Sequence, residues 1–218
     1  MNPLHALHGL YAVTPDDDDS ARLAGRVRAA LEGGVRLVQY RNKTADAALR
    51  RYQASALYGL CQAHGAALIV NDDLELALAI DAHGLHLGGE DGSIAAARAR
   101  LGPRKLLGAS CYRSLDNAER ALAEGADHIA FGSFFVSTVK PGAVRSTPSI
   151  LTEAKRKFGV PVVAIGGITH DNAPLVISAG ADSIAVITAL FNAPDIAHAA
   201  REFNALFETR HETKPKII

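Results

Sequence analysis

Three features of the sequence predict a closed (β/α)₈ barrel. Apolar runs suited to strands recur eight times, near residues 9–14, 35–40, 66–71, 84–88, 105–110, 128–133, 161–166 and 183–188. These runs lack inside/outside alternation and are separated by helix-period stretches, the pattern of a parallel sheet whose outer face is covered by helices. One phrase also repeats: ALEGGVRLVQYR (30–41), ALAEGADHIAFGS (121–133) and VISAGADSIAVIT (176–188). Each copy is the end of an Ala-rich helix, a glycine stop and a short strand. Glycine there supplies the left-handed backbone that a side chain resists. Eight strand–helix units in 218 residues suit a closed barrel, with an open doubly wound sheet as the alternative fold.

Composition narrows the function. Apolar residues make up 48% of the chain, enough for a substantial core, and Lys plus Arg equals Asp plus Glu at 23 each. Without excess positive charge there is no electrostatic footprint for nucleic acid. Cys61 and Cys111 form no CxxC pair, which argues against a disulfide framework and fits a reducing cytoplasm. The start lacks a basic region followed by a long apolar one, so no signal peptide is read. No apolar run is long enough to cross a bilayer, and a membrane is not expected as a partner. No Ser/Gly/Pro linker divides the chain. Residues 1–218 are therefore expected to form one barrel domain, with polar 209–218 as a loose tail. Whether the chain is a homo-oligomer is left open.

Barrel active sites lie at the C-terminal ends of the strands, so the residues just after each strand carry the function. After strand 1 the run DDDD (16–19) precedes helix ARLAGRVRAALEG (21–33) and reads as a cap in a solvated loop. After strand 2 comes QYRNK. Gln39, Arg41 and Lys43 alternate and so fall on one side of an extended backbone, which suits phosphate or pyrophosphate; an exposed polar loop is the plain alternative.

Strand 3 ends on Asn71-Asp72-Asp73 and strand 4 on Glu90-Asp91. Adjacent strands lie about 5 Å apart, so Asp72 and Asp91 reach one ion, while Asp73 caps the following helix. A small set of oxygen ligands beside a cationic cradle points to Mg²⁺ shared with a substrate rather than zinc. Gly88 and Gly89 serve either close ligand approach or a tight turn. His83 and His86 face opposite ways on a strand and do not share a metal. His86 either lines the barrel mouth or is a bonded core histidine.

After strand 5 Ser110 lacks a nucleophile elbow and reads as a hydroxyl donor to substrate, and Cys111 as a packed thiol. After strand 6 a long loop (132–146) carries Ser137, Thr138, Lys140 and Arg145. AIGGITHDN (164–172) after strand 7 and AVITALFN (185–192) after strand 8 read as a phosphate cradle, with a glycine-requiring turn as the alternative for IGGI. Two phosphate sites, one beside Mg²⁺, imply two phosphorylated small-molecule substrates or one long one. No catalytic triad, general base or Schiff-base lysine stands out. The chemistry therefore needs mainly leaving-group stabilisation, and displacement of Mg-bound pyrophosphate fits.

The stretches LYAVTP, VQYRNK, VNDDLELAL…GLHLGGEDG, GASC, AFGSFF…STVKPG, VAIGGI and GADSIAVITALF, in this order, resemble the thiamine phosphate synthase family along nearly the whole chain. The resemblance implies a (β/α)₈ barrel that joins hydroxymethylpyrimidine diphosphate to a thiazole phosphate, carboxylated or not, and releases pyrophosphate. By position it assigns Gln39, Arg41, Lys43, Asn71, Ser110 and Lys140 to the pyrimidine diphosphate. It assigns Asp72 and Asp91 to Mg²⁺, and Ser137, Thr138, Val139, Gly167, Ile187 and Thr188 to the thiazole phosphate. Arg41, Lys43, Ser110 and Lys140 would carry catalysis. Two departures stand out: Val139 replaces the usual Thr before the lysine, and Gly89 the usual Gln beside the metal. A thiazole tautomerase-like paralogue, a non-catalytic thiamine phosphate sensor and an unrelated phosphosugar isomerase are the rivals. The acid pair disfavours the first two, and the missing acid–base pair the third.

Overall fold

The computed structural model describes residues 6–89, 91–136 and 144–212, with side chains described through Glu208. The chain alternates strand and helix from end to end: β1 (Gly9–Val13), α1 (Ser20–Glu32), β2 (Leu37–Tyr40), α2 (Ala47–Ala63), β3 (Ala67–Asn71), α3 (Leu74–Ala79), β4 (Gly84–Leu87) and α4 (Ile94–Leu101). It continues through β5 (Leu106–Tyr112), α5 (Leu115–Ala123), β6 (His128–Gly132), α6 (Ser149–Lys157), β7 (Val162–Ile165), α7 (Ala173–Ser178), β8 (Ser183–Val186), α8 (Thr188–Phe191) and α9 (Ile196–Glu212). The strands pair in parallel in sequence order, and β8 closes on β1. All eight expected strands are present.

One expectation changes. β5 runs two residues beyond the predicted run, to Tyr112, with a register shift against β6 between Ser110 and Tyr112. Of the span read as a tail, residues 209–212 continue α9, and 213–218 lie outside the described residues.

The missing alternation has a simple cause: both sheet faces are buried. Along β2, Leu37 faces the barrel interior with Tyr11, Ile69, Leu106 and Val163. Val38 and Tyr40 face the helical layer with Leu23, Val27 and Leu57. Among the described residues no helix is long and apolar enough to cross a membrane.

The repeated phrase has two structural causes. Gly34, Gly125 and Gly180 all take positive φ (96°, 102° and 121°), the left-handed stop that lets a helix return to the sheet. In two copies the following Asp is a capping residue for the neighbouring strand. Asp127 Oδ2 accepts Leu107 N–H at 2.7 Å, and Asp182 Oδ2 accepts Val162 N–H at 2.8 Å. Each acid also meets a base from a preceding helix, Arg98 on α4 and Lys155 on α6. Arg98 further donates to the carbonyls of Gly102, Lys105 and Gly125. This set ties the bottom of the barrel, opposite the mouth. Asp127→Ala is therefore expected to lower unfolding free energy by about 2–3 kcal/mol in urea titration, since it removes two charge-assisted bonds. Turnover at 25 °C should be unchanged.

Candidate active site

At the C-terminal ends of the strands a cavity of about 690 Å³ opens. Gln39, Arg41, Lys43, Asn71, Asp72, Asp91, Ser110, Gly167, Ile187 and Thr188 all line it. These ten residues come from β2, β3, β4, β5, β7 and β8 or the loops after them, so only the closed barrel brings them together. Ser137, Thr138, Val139 and Lys140 lie outside the described residues; Val136 and Val144, on either side of residues 137–143, line the cavity. Arg145 faces a neighbouring depression with Arg113 instead.

The β1 and β2 loops are stitched together under the cationic side. Thr14 Oγ1 donates to the Arg41 carbonyl and accepts its N–H, both at 2.8 Å. Asp16 Oδ1 accepts from Arg41 Nη1 at 2.9 Å and from the Lys43 N–H at 2.7 Å. The DDDD run is thus more than a solvated cap. Asp19 does cap α1, accepting from Ala21 and Arg22 N–H. Asp17, however, has a side chain only 2% exposed and is gripped by Arg22. The hydrogen-bonded Arg22 guanidinium holds its carboxyl below the usual range. Charge counting could not separate these acids, because Asp16 pairs with Arg41 across the β1 and β2 loops while Asp17 and Asp19 pair with α1.

On the acidic side, Asp72 has φ +64°, a left-handed backbone uncommon for a side chain. Its Oδ2 accepts from Asn71 Nδ2 at 2.6 Å and pairs with Lys43 Nζ at 3.2 Å. Asp73 caps α3 through Leu76 N–H, as expected. Asp91 meets the Asp72 carboxyl. Burial first, and then the neighbouring negative charge, raise its pKa, while Lys43 and a backbone hydrogen bond oppose this. Gly88 makes the room, since a Cβ there would strike Asp91 Oδ2. Two carboxylates forced together, with oxygen donors only, fit a hard divalent cation that takes its remaining ligands from water and phosphate. His83 is not available for such a site: its Nδ1 accepts Leu68 N–H at 3.0 Å.

The floor is apolar with a few polar groups. Gln39 Nε2 donates to the Tyr11 hydroxyl at 2.9 Å, and His86 Nε2 bonds Ser110 Oγ at 2.9 Å. His86 is both of the things expected of it, 6% exposed and lining the cavity. Burial pushes its pKa down to about 4, so the ring is neutral and shares one hydrogen with Ser110. Cys111 is buried, and burial pushes its thiol up to about 12, consistent with packing and not with a nucleophile.

Opposite lies the glycine turn. Gly166 and Gly167 have φ +103° and +65°. A Cβ on Gly166 would strike Ser133, and one on Gly167 the Val136 carbonyl. Phe135 N–H donates to the Gly166 carbonyl at 2.9 Å. The glycines thus let the β6 loop lie flat on the β7 loop, which forms one wall of the cavity. The turn requires glycine, as the alternative reading of IGGI had it, and Gly166 and Gly167 also line the cavity. Sequence reasoning missed Tyr11 and Tyr112 as lining residues. The second was legible as the residue two beyond Ser110, on the same side of an extended chain.

A family model described as thiamine monophosphate synthase matches residues 10–190. The chain belongs to this family. A thiamine-phosphate synthase of Thiobacillus denitrificans is 54% identical over 204 residues, covering 94% of this chain and 97% of the relative. Another, from Methylobacillus flagellatus, is 52% identical over the same shares. A solved thiamine phosphate pyrophosphorylase from Pyrococcus furiosus superposes with a TM-score of 0.83 at 36% identity, covering 94% of this chain and 98% of that one. The span matched to the thiamine monophosphate synthase family runs from β1 into α8 and contains every cavity residue named above.

Proposed function

We propose that this chain joins 4-amino-2-methyl-5-(diphosphooxymethyl)pyrimidine to a 4-methylthiazole phosphate, or its carboxylated form, by Mg²⁺-assisted dissociative displacement. Family membership makes it a transferase that forms thiamine phosphate and releases pyrophosphate. One observation carries the finer reading: a single cavity holds a facing acid pair and two cations on one side and a glycine-lined wall on the other.

In this reading Arg41, Lys43, Asn71, Ser110 and Lys140 hold the diphosphate, and Gln39, fixed by Tyr11, orients the pyrimidine. Ser137, Thr138, Val139, Gly167, Ile187 and Thr188 hold the thiazole phosphate. Mg²⁺ bound between Asp72 and Asp91 would offset the charge that builds on the departing pyrophosphate. Lys43 then exchanges its ion pair with Asp72 for one with phosphate. The carbon–oxygen bond breaks with its electron pair leaving on pyrophosphate, and the thiazole nitrogen lone pair forms the new carbon–nitrogen bond; with the carboxylated thiazole the coupled product also loses CO₂ and takes up one proton from water at the carbon that held it. That nitrogen carries no proton, so no general base is needed. The neutral, buried His86 fits a site that orients Ser110 without removing a proton.

The test is product formation by purified protein given both substrates and Mg²⁺. Thiamine phosphate and pyrophosphate should appear in equal amounts and cease on addition of EDTA. Turnover that persists in EDTA would remove Mg²⁺ from the reading. Binding of both ligands without product would favour a sensor.

A further inference from the structure

We propose that the Tyr112 hydroxyl is an additional ligand of the diphosphate, donating a hydrogen bond to a phosphate oxygen beside the Asp72–Asp91 pair. The assignment rests on the function proposed above and adds a residue to it.

Four observations converge on this side chain. Its backbone has φ +55°, and it is one of three non-glycine residues with positive φ among the described residues; Asp72, which also lines the cavity, is another. A bulky residue in that region is a genuine outlier, and such strain persists where the surrounding structure enforces it and function uses it. Second, the register shift between Ser110 and Tyr112 lies at this point, and irregularities of this kind re-aim side chains beside active sites.

Third, Gly89 N–H donates to the Tyr112 hydroxyl at 3.2 Å. A phenol has one hydrogen to give and lone pairs to receive. With Gly89 on a lone pair, the hydrogen remains for a ligand. The same turn carries Asp91, and a Cβ on Gly88 would strike Asp91 Oδ2 and come within 3.6 Å of the Tyr112 hydroxyl, so the hydroxyl stands beside the acid pair. Fourth, a Cβ on Gly89 would come within 3.1 Å of Tyr112 Cε2, so the glycine keeps this space open for the ring. Tyr112 is 46% exposed and lines the mouth, where a tightly bound anion would cover it.

Tyr112→Phe and Tyr112→Ala test this. Each is compared with the unmodified protein in steady-state assays with both substrates, and in calorimetric titration with inorganic pyrophosphate and Mg²⁺. Tyr112→Phe should raise KM for the pyrimidine diphosphate and the Kd of pyrophosphate by about tenfold, the effect of losing a bond to a charged group. KM for the thiazole phosphate, the Mg²⁺ concentration for half-maximal rate and Tm should not move. If Tyr112→Phe is unaltered while Tyr112→Ala is impaired, the ring only packs, and the proposal fails. If the Mg²⁺ requirement rises instead, Tyr112 acts by positioning the Asp91 turn, which also overturns it. An unmodified protein that forms no thiamine phosphate would overturn the proposed function; an active one with a silent Tyr112→Phe overturns this inference alone.

Discussion

Asp91→Asn is expected to lower the rate of thiamine phosphate formation by about two to three orders of magnitude at millimolar Mg²⁺, the loss of several kcal/mol of charge stabilisation. In the free site Asp72 and Asp91 meet carboxyl to carboxyl, and burial with mutual repulsion pushes the Asp91 pKa up. That arrangement is costly for the protein alone and favourable with a divalent cation between them. Replacing one acid by its amide removes the repulsion and, in the proposed metal site, the negative charge of one of the two acids. Asp91→Asn should therefore keep or slightly raise Tm while losing turnover, a pairing that a merely structural acid would not show. Rates measured across a range of Mg²⁺ should recover partly at high concentration. A rate within about threefold of the unmodified protein would take Asp91 out of the metal site.

Arg41→Gln is expected to reduce kcat/KM for the pyrimidine diphosphate by about 10–100-fold, from the loss of charge-assisted bonds worth about 1.5–3 kcal/mol. One arm of the guanidinium is already fixed by Asp16, and its backbone is clamped by Thr14. The remaining donors are thus presented at the mouth with little rotamer freedom left to lose. Arg41→Lys should not restore the rate, because an ammonium cannot bond Asp16 and a phosphate in the same fixed fork. Steady-state kinetics with the pyrimidine diphosphate varied at saturating thiazole phosphate would decide it. Unchanged kcat/KM in Arg41→Gln would exclude Arg41 from the diphosphate subsite.

Much of this site was legible because a parallel barrel converts sequence position into place. Each strand delivers its C-terminal residues to one mouth, so Arg41, Asp72, Asp91 and Ser110 could be grouped before any distance was known. The eight apolar runs and the three glycine stops were enough to order the strands. Local rules also placed the α3 cap at Asp73, since a helix N-cap is decided within a few residues of chain.

What the sequence could not determine depends on groups far apart along the chain. The DDDD run looks uniform, yet Asp16 serves Arg41, Asp17 is buried against Arg22, and Asp19 caps α1. Packing of the β1 loop against the β2 loop sets Asp16 apart from the other two. GAD reads as a helix stop, but its Asp satisfies an N–H at the start of the neighbouring strand, the first of β7 and the second of β5, a contact set by sheet register. The glycines of IGGI answer to the β6 loop, and Gly89 to Tyr112 on another strand. By itself the sequence determined which residues reach the mouth, through the period of the strands and their order. The tertiary structure alone decided which of them face, pair or strain one another, because those energies depend on distances that closing the barrel sets.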